Sequence, residues 1–166
     1  MEELVIFMIN PDFWKGKRVF VTGHTGFKGS WLSIWLSYLG ATVKGYSLSP
    51  PTSPSLFNEA KVEELIDSQV GDIRDQKNIC RSMSEFNPDI LIHMAAQPLV
   101  MYSYKAPIET YEVNVLGTAK VLEAARSCKN LKAIINVTTD KCYENDGRTD
   151  GYKEQDPMGG YDPYSS

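Results

Sequence analysis

The chain has 166 residues, of which 42% are hydrophobic and 23% are charged, and its formal net charge at pH 7 is -4. This length suits one globular domain, and the acidic balance predicts no nucleic-acid partner. Because no run of about 18 apolar residues occurs, we expect no membrane span. Three widely spaced cysteines, Cys80, Cys128 and Cys142, show neither a metal-ligand spacing nor a disulfide framework, which favours a reducing cytoplasm and predicts no bound metal.

Apolar runs alternate with helical stretches along the whole chain. After a lead-in segment over residues 1–16, strands are predicted at 17–22, 41–48, 68–73, 89–96 and 131–138. Helices are predicted at 28–39, 56–66, 75–86 and 107–128, and loops at 49–54, 97–105 and 139–166. In the first helix Leu32, Trp35, Leu36 and Leu39 recur at helical spacing, so we expect them to face the sheet.

Strands that alternate with helices are typical of an α/β fold with a doubly wound parallel sheet and right-handed crossovers. In such sheets ligands bind beyond the carboxyl ends of the strands. Functional residues are therefore expected directly after strands, within the stretches 23–29, 72–73, 95–97 and 138–141.

The first predicted strand runs into three glycines spaced three apart, and a helical stretch follows at once. In a strand–turn–helix of this kind, backbone N–H groups approach a diphosphate at the positive end of the helix. Glycine is needed because a Cβ would block the turn, the phosphate or the helix–strand contact. A glycine-rich turn that binds nothing is the alternative. The pattern predicts a dinucleotide site that includes Gly23, Thr25, Gly26, Phe27 and Gly29.

The remaining strand ends offer weaker signals. At the end of the second strand, Ser47 or Ser49 could hydrogen-bond the ribose hydroxyls. Residues 46–49 contain no acid and no arginine, which favours NAD over NADP. Asp72 suits either an adenine amino group, with Ile73 packing on the ring, or a turn cap. Ala95 and Ala96 suit either a cofactor pressed against the backbone or simple packing at a strand end.

Polar side chains that could carry chemistry cluster near the end of the chain. Thr138, Thr139, Asp140 and Lys141 combine two hydroxyls, a carboxylate and an ammonium. A carboxylate beside a lysine acts as acid or base once its pKa is tuned, although an exposed turn with a local ion pair is the simpler interpretation of this stretch alone. Tyr164 becomes an acid or base only where a cation and a nicotinamide lower its pKa.

The two histidines are interpreted without a catalytic role. His93 lies inside an apolar strand and is expected to be a satisfied core histidine. His24 lies in the glycine turn, and its side chain is expected to point to solvent.

Taken together, the stretches 22–29, 71–75, 93–98, 114–118 and 138–143 resemble extended short-chain dehydrogenases/reductases that act on nucleotide sugars. Within that family, the stretches 23–32, 139–143 and 159–165 are most similar to CDP-glucose 4,6-dehydratases. The resemblance implies a Rossmann fold, the cofactor NAD and the substrate CDP-glucose. It also implies a redox-neutral dehydration, in which a hydride leaves C4, water is lost across C5 and C6, and the hydride returns to C6.

The same resemblance assigns roles to individual residues. It implies that Tyr164 removes the proton of the C4 hydroxyl, which Thr139 hydrogen-bonds, and that Asp140 protonates the leaving C6 hydroxyl. Lys141 stands where sister dehydratases carry a glutamate for the C5 proton. The cofactor-binding residues implied by the resemblance also include Gln97, Asn114 and Thr138, and the family tends to form homodimers.

The lysine of the family's Tyr-x-x-x-Lys motif would fall at position 168, beyond Ser166. The chain therefore resembles the N-terminal part of such an enzyme, with an NAD-binding domain over residues 17–166, and is expected to bind NAD weakly and to turn over poorly or not at all. Two alternatives stay open. One is another nucleotide-sugar enzyme, such as a GDP-mannose dehydratase or a UDP-sugar epimerase, against which the Asp140–Lys141 pair argues. The other is a non-catalytic nucleotide-binding fragment.

Overall fold

The computed structural model describes residues 10–166; predictions for residues 1–9 of the lead-in segment lie outside this range. Five parallel strands form one sheet in the order β3-β2-β1-β4-β5. The strands are β1 (Arg18–Thr22), β2 (Thr42–Ser47), β3 (Asp67–Val70), β4 (Ile90–His93) and β5 (Ala133–Asn136). The strand order reverses between β1 and β4, and ligands bind at such a switch point in doubly wound sheets. The predicted α/β fold is confirmed.

Helices cover both faces of the sheet. In chain order they are α1 (Pro11–Trp14), α2 (Phe27–Tyr38), α3 (Leu56–Glu59), α4 (Gln76–Phe86), α5 (Val100–Lys105), α6 (Pro107–Tyr111) and α7 (Thr118–Ala125). A π-helical segment (Glu112–Gly117) joins α6 to α7, and 3-10 turns lie at Val62–Glu64 and Asp140–Cys142. No helix within residues 10–166 has the length and hydrophobicity needed to cross a bilayer.

Two hydrophobic clusters hold the helices to the sheet, one on each face. The cluster under α4 and α7 contains Phe20, Tyr46, Ile73, Ile79, Met83, Leu91 and Val121. The cluster under α2 contains Val19, Val21, Leu36, Val43, Ile90 and Ile92. Because successive strand residues point to opposite faces, β1 and β4 contribute to both clusters and lie at the centre of the core.

Helix α2 packs on the sheet through Leu36, with Leu32 beside it, as predicted, and through three small residues. Its buried residues are Gly29, Ser30, Ser33 and Leu36. The prediction that Trp35 faces the sheet is wrong, because its side chain is 48% exposed. The small residues let the start of α2 approach the end of β1 closely, and that approach leaves no room for an indole ring between helix and sheet.

Several predicted boundaries differ from the observed ones. The helix predicted over 56–66 is divided into α3 and a 3-10 turn, because Lys61 adopts a left-handed φ of 50° between them. The loop predicted over 97–105 contains α5, and the tail predicted as loop contains a 3-10 turn and an isolated bridge between Tyr143 and Met158. The helix predicted over 107–128 contains the π-helical segment.

Strands β4 and β5 are each four residues long, shorter than the predicted 89–96 and 131–138. After β4 the N–H groups of Met94 and Ala95 donate to the Thr22 hydroxyl, and Gln97 bonds to Asn114. The Met94 N–H still reaches the Thr22 carbonyl at 3.2 Å, whereas the N–H groups of Ala95 and Gln97 bond to side chains, so the backbone pairing ends there. Strand β5 forms one edge of the sheet, and all four of its residues are exposed.

Candidate functional site

The turn after β1 depends on a close contact between the backbones of two glycines. A Cβ at Gly29 would overlap the carbonyl oxygen of Gly23, so any side chain would push α2 away from the turn. Gly23 itself has a φ of +78°, and a Cβ there would lie 2.8 Å from the amide nitrogen of Ala95. The fold therefore requires glycine at both positions.

Gly26 is different, because neither the backbone conformation nor the packing of the protein requires a glycine there. Its φ of -73° is ordinary, and a Cβ there would lie 3.4 Å from the nearest heavy atom, the Gly23 carbonyl oxygen. Gly26 lies directly before α2, where the first backbone N–H groups lack helical partners and the helix dipole favours anions. Phe27 follows with its ring exposed. The opening at Gly26 thus suits a ligand with negative charge.

Thr25 and Ser47, both predicted to contact a cofactor, bind each other. The Thr25 hydroxyl donates to the carbonyl of Leu48 at 2.8 Å and lies 2.9 Å from the Ser47 hydroxyl. Since the Thr25 proton is directed to Leu48, the Ser47 hydroxyl donates to Thr25. The pair ties the glycine turn to the end of β2 and leaves Ser47 only acceptor capacity toward a ligand.

The expectation that His24 points to solvent is wrong. The imidazole is fully buried, with Nε2 2.7 Å from the hydroxyl of Ser68 on β3. It fills the space over Gly45, where a Cβ would overlap the ring. Burial lowers the pKa of His24 to about 4. The sequence does contain a signal for this packing, because a glycine inside a strand marks the close approach of another group.

His93 is a satisfied core histidine, as predicted. Its Nδ1 lies 2.6 Å from the Thr22 hydroxyl and its Nε2 lies 3.0 Å from the Thr118 hydroxyl. Thr118 donates its own proton to the Asn114 carbonyl, so it accepts from Nε2–H of His93, and Nδ1 accepts from Thr22. This neutral tautomer joins β1, β4 and α7, and burial lowers the pKa of His93 to about 4.

The loop after β4 is held from two sides. The Thr22 hydroxyl accepts hydrogen bonds from the N–H groups of Met94 and Ala95, both at 3.1 Å. In the π-helical segment, the Asn114 side chain accepts from the Gln97 N–H at 2.8 Å and donates to the Gln97 carbonyl at 3.0 Å. Asn114 and Gln97, both predicted cofactor residues, therefore bind each other. Ala95 packs beside Gly23, and Ala96 is exposed next to it.

Beyond β3 the structure favours the turn-cap interpretation of Asp72. Its carboxylate accepts from the Arg74 N–H at 2.8 Å and from the Arg74 guanidinium at 2.7 Å. The hydrogen bonds from the Arg74 side chain lower the pKa of Asp72. The Ile73 side chain is buried in the core, where a Cβ at Gly117 would meet it. Any contact between residue 73 and an adenine would therefore involve its backbone.

Two predicted catalytic side chains form an exposed ion pair beyond β5. Asp140 and Lys141 lie in the second 3-10 turn, and the Lys141 Nζ lies 3.3 Å from Oδ2 of Asp140. Thr139 caps the turn by accepting from the Lys141 N–H, and Thr138 is exposed before it. The hydrogen bond from Lys141 lowers the pKa of Asp140, so the pair holds this carboxylate in its charged form.

A cavity of about 230 Å³ brings this ion pair together with the loop that carries Tyr164. Its lining includes Asp140, Lys141, Asp162 and Ser165. The Asp162 carboxylate orders the loop by accepting from the N–H groups of Tyr164 and Ser165. Two of the four predicted catalytic residues, Asp140 and Lys141, therefore line this space. The other two, Thr139 and Tyr164, each adjoin a lining residue in the sequence, and Tyr164 is half-buried.

Residues 20–166 match the sequence model of a family described as GDP-mannose 4,6 dehydratase, and the chain belongs to this family. It is 58% identical over 159 residues to a CDP-glucose 4,6-dehydratase of Salmonella typhimurium, and the match covers 96% of this chain and 44% of that enzyme. A GDP-mannose 4,6-dehydratase of Vibrio cholerae is 32% identical over 120 residues, which cover 66% of this chain and 31% of that enzyme. The chain thus spans less than half the length of these relatives.

The fold also matches that of a solved enzyme with a bound nucleotide. A UDP-glucose 4-epimerase of Brucella ovis in complex with NAD superimposes with a TM-score of 0.76 and 27% identity, over 90% of this chain and 44% of that one. The predicted Rossmann fold and family relationship are confirmed.

The two buried histidines predict a loss of stability in mild acid. Each has a folded pKa of about 4 against an ordinary value of 6.5. Below pH 6.5 the two imidazoles therefore bind protons in the unfolded chain but stay neutral in the folded chain. The stabilisation that the neutral histidines contribute is lost as the pH falls toward 4. We expect the free energy of unfolding, measured by urea titration, to fall by about 2 kcal/mol for each histidine between pH 7 and 5.

The sequence contains only these two histidines, and Asp72, for example, has an ordinary pKa of 3.8 and titrates at lower pH. A His93→Gln variant, measured over the same range, should lose about half of this pH dependence. A free energy of unfolding that stays constant from pH 7 to 5 would contradict the neutral assignment of both imidazoles.

Proposed function

We propose that residues 17–166 are the NAD-binding domain of a CDP-glucose 4,6-dehydratase. The observation that carries the proposal is the opening at Gly26, an anion-favouring position at the start of a 12-residue helix that the protein leaves free of side chains. The 58% identity to the Salmonella enzyme, against 32% to the Vibrio GDP-mannose enzyme, supports the CDP-glucose substrate over GDP-mannose.

The residues of the glycine turn fit a dinucleotide. The backbone N–H groups at the start of α2 would bind its diphosphate, and Gly26 would let the phosphates approach. Ser47 lies at the end of β2, where its oxygen can accept from a ribose hydroxyl. Ala95 and Ala96 border the turn with small side chains. The NAD complex of the Brucella epimerase supports NAD as the ligand of this fold.

In the proposed reaction, bound NAD would accept the hydride of C4 and, once water is lost, return it to C6, while C5 regains a proton from solvent through Lys141. Tyr164 takes the proton of the C4 hydroxyl, and Thr139 hydrogen-bonds the same hydroxyl. A carbonyl at C4 acidifies the C5 proton, which Lys141 removes, while Asp140 protonates the departing C6 hydroxyl as water. The overall change is the loss of one water molecule from the hexose, with no net oxidation.

The Asp140–Lys141 pair must exchange a proton before it can act in this way. In the structure the two groups are charged partners 3.3 Å apart and largely exposed to water. Covering them with substrate would disfavour both charges, because water would no longer solvate the two ions. One proton passing from Lys141 to Asp140 then creates the base and the acid together, and the charge of the pair stays zero.

We further propose that the protein works as a homodimer in the cytoplasm. Exposed apolar side chains on α6 and the π-helical segment support a dimer contact on that face; they include Ile108, Val115 and Leu116. The thiols of Cys80, Cys128 and Cys142 are free, which suits a reducing compartment.

Substitutions in the glycine turn separate ligand binding from folding. We expect Gly26→Ala to weaken NAD at least tenfold in calorimetry and to change the free energy of unfolding by less than about 1 kcal/mol. Gly29→Ala should destabilise the fold by about 1 to 3 kcal/mol, because its Cβ overlaps the Gly23 carbonyl. Gly151→Ala, where a Cβ meets no atom within 4 Å, is the matched control. Unchanged NAD affinity in Gly26→Ala would count against the diphosphate site.

Turnover of the protein at its full natural length tests the proposed reaction. CDP-, dTDP-, GDP- and UDP-glucose are supplied in D2O, and the products are analysed by NMR. We expect CDP-glucose to be converted to its 4-dehydro-6-deoxy derivative with deuterium at C5. Lys141→Met should lower this rate by about 10²- to 10⁴-fold, whereas Lys153→Met, in the same tail, should not. Conversion of another nucleotide sugar in place of CDP-glucose would refute the substrate assignment.

A further inference from the structure

The glycine turn has two non-glycine residues between Gly23 and Gly26, and both point into the protein. Thr25 binds Ser47 and Leu48 at the end of β2. His24 reaches further, to Ser68 on β3. Because both side chains are directed inward, the surface of the turn that faces a ligand consists of backbone and of Gly26.

The His24 ring is surrounded by groups from three different elements. It lies over Gly45 of β2, whose Cβ would overlap it, and its centre lies 5.4 Å from that of the Phe57 ring on α3 in an edge-on arrangement. Ser68 Oγ lies 2.7 Å from Nε2. These contacts fix the position of residue 24 relative to the sheet in all directions.

In the part of the chain that the structure describes, Ser68 is the one partner with full hydrogen-bond geometry at the imidazole, and the backbone of Tyr46 also interacts with the ring. The other ring nitrogen, Nδ1, is buried and has no partner with hydrogen-bond geometry. A buried polar ring with one well-formed hydrogen bond depends strongly on it, because the loss of that bond leaves a ring nitrogen buried without its partner. The His24–Ser68 contact is therefore the polar link that decides whether the ring stays in its pocket.

A turn that contains glycines at positions 23, 26 and 29 has high backbone entropy unless other contacts hold it. A ligand that binds such a turn in one conformation loses affinity in proportion to the time the turn spends in others. The backbone groups at Gly26 need to be ordered before the ligand binds. The side chains of residues 24 and 25 order them through their contacts with β3 and with the end of β2.

We propose that His24 is a positioning residue for the diphosphate site, and that its hydrogen bond to Ser68 holds the glycine turn in the conformation that binds. The identity of the ligand, NAD, rests on the proposed function above. His24 does not touch the ligand in this proposal; it acts through the backbone of the turn.

The test compares two variants at residue 68 that have the same shape. Ser68→Thr keeps the hydroxyl, and Ser68→Val replaces it with a methyl group. Amide hydrogen exchange is followed by mass spectrometry in peptides that cover residues 22–30, without ligand, and the dissociation constant of NAD is measured by calorimetry. Both use the protein at its full natural length.

We expect Ser68→Val to speed exchange in the turn at least threefold and to weaken NAD three- to tenfold, with exchange elsewhere unchanged. Ser68→Thr should match the natural protein within twofold. A merely structural role of Ser68 would instead raise exchange throughout the sheet or change it equally in both variants, and either result would overturn the proposal.

His24→Phe supplies an independent variant, because it keeps a ring in the pocket and removes the same hydrogen bond by changing His24 instead of Ser68. It should reproduce the effect of Ser68→Val, and the double variant should lose no more than either single one, since all three break the same contact. Additive losses would overturn the proposal. A third outcome is faster exchange in Ser68→Val while neither the natural protein nor any variant binds NAD at millimolar concentration. This outcome would support the role of the His24–Ser68 hydrogen bond in ordering the turn and refute NAD as the cofactor.

Discussion

The contact of Gly29 with the carbonyl of Gly23 is the constraint on which the site depends. It brings the amino end of α2 against the end of β1 with no side chain between them. Helix α2 buries two serines and a glycine beside Leu36, whereas α4 buries Ile79, Met83 and Phe86, so the close approach of α2 costs apolar contact area. The result is an ordered row of backbone N–H groups with an opening at Gly26.

Buried polar side chains then hold this turn and the neighbouring loop in one arrangement. A chain of hydrogen bonds runs from Thr22 through His93 to Thr118 and on to the Asn114 carbonyl. The side chain of Asn114 in turn holds Gln97. Every proton in the chain has an assigned acceptor, so burial costs little and the loops after β1 and β4 are ordered together. The π-helical segment belongs to this system, because it turns Asn114 toward the sheet.

The two halves of the proposed active site differ in their electrostatics. Below the glycine turn the imidazoles of His24 and His93 are neutral and buried, and the turn presents backbone dipoles to an anion, with Lys28 exposed at the start of α2. Beyond β5, Asp140 and Lys141 are charged and surrounded by water. The first half is prepared before a ligand arrives, whereas the second acquires its catalytic protonation states only when water is removed. This contrast explains why the pKa of Asp140 is lowered in the structure, whereas a general acid needs a raised one.

Local patterns determined the alternation of strands and helices, the glycine turn and the core position of His93, because each depends on neighbours in sequence or on the period of the apolar residues. The buried position of His24 and the contact of Asn114 with Gln97 depended on partners about 15 to 45 residues away. The outward position of Trp35 depended on which face of α2 packs on the sheet. Glycine 45 was a visible signal, but its meaning required knowing which ring lies over it. Sequence spacing describes one element at a time, and only the packed sheet decides which side chains of different elements share the same space.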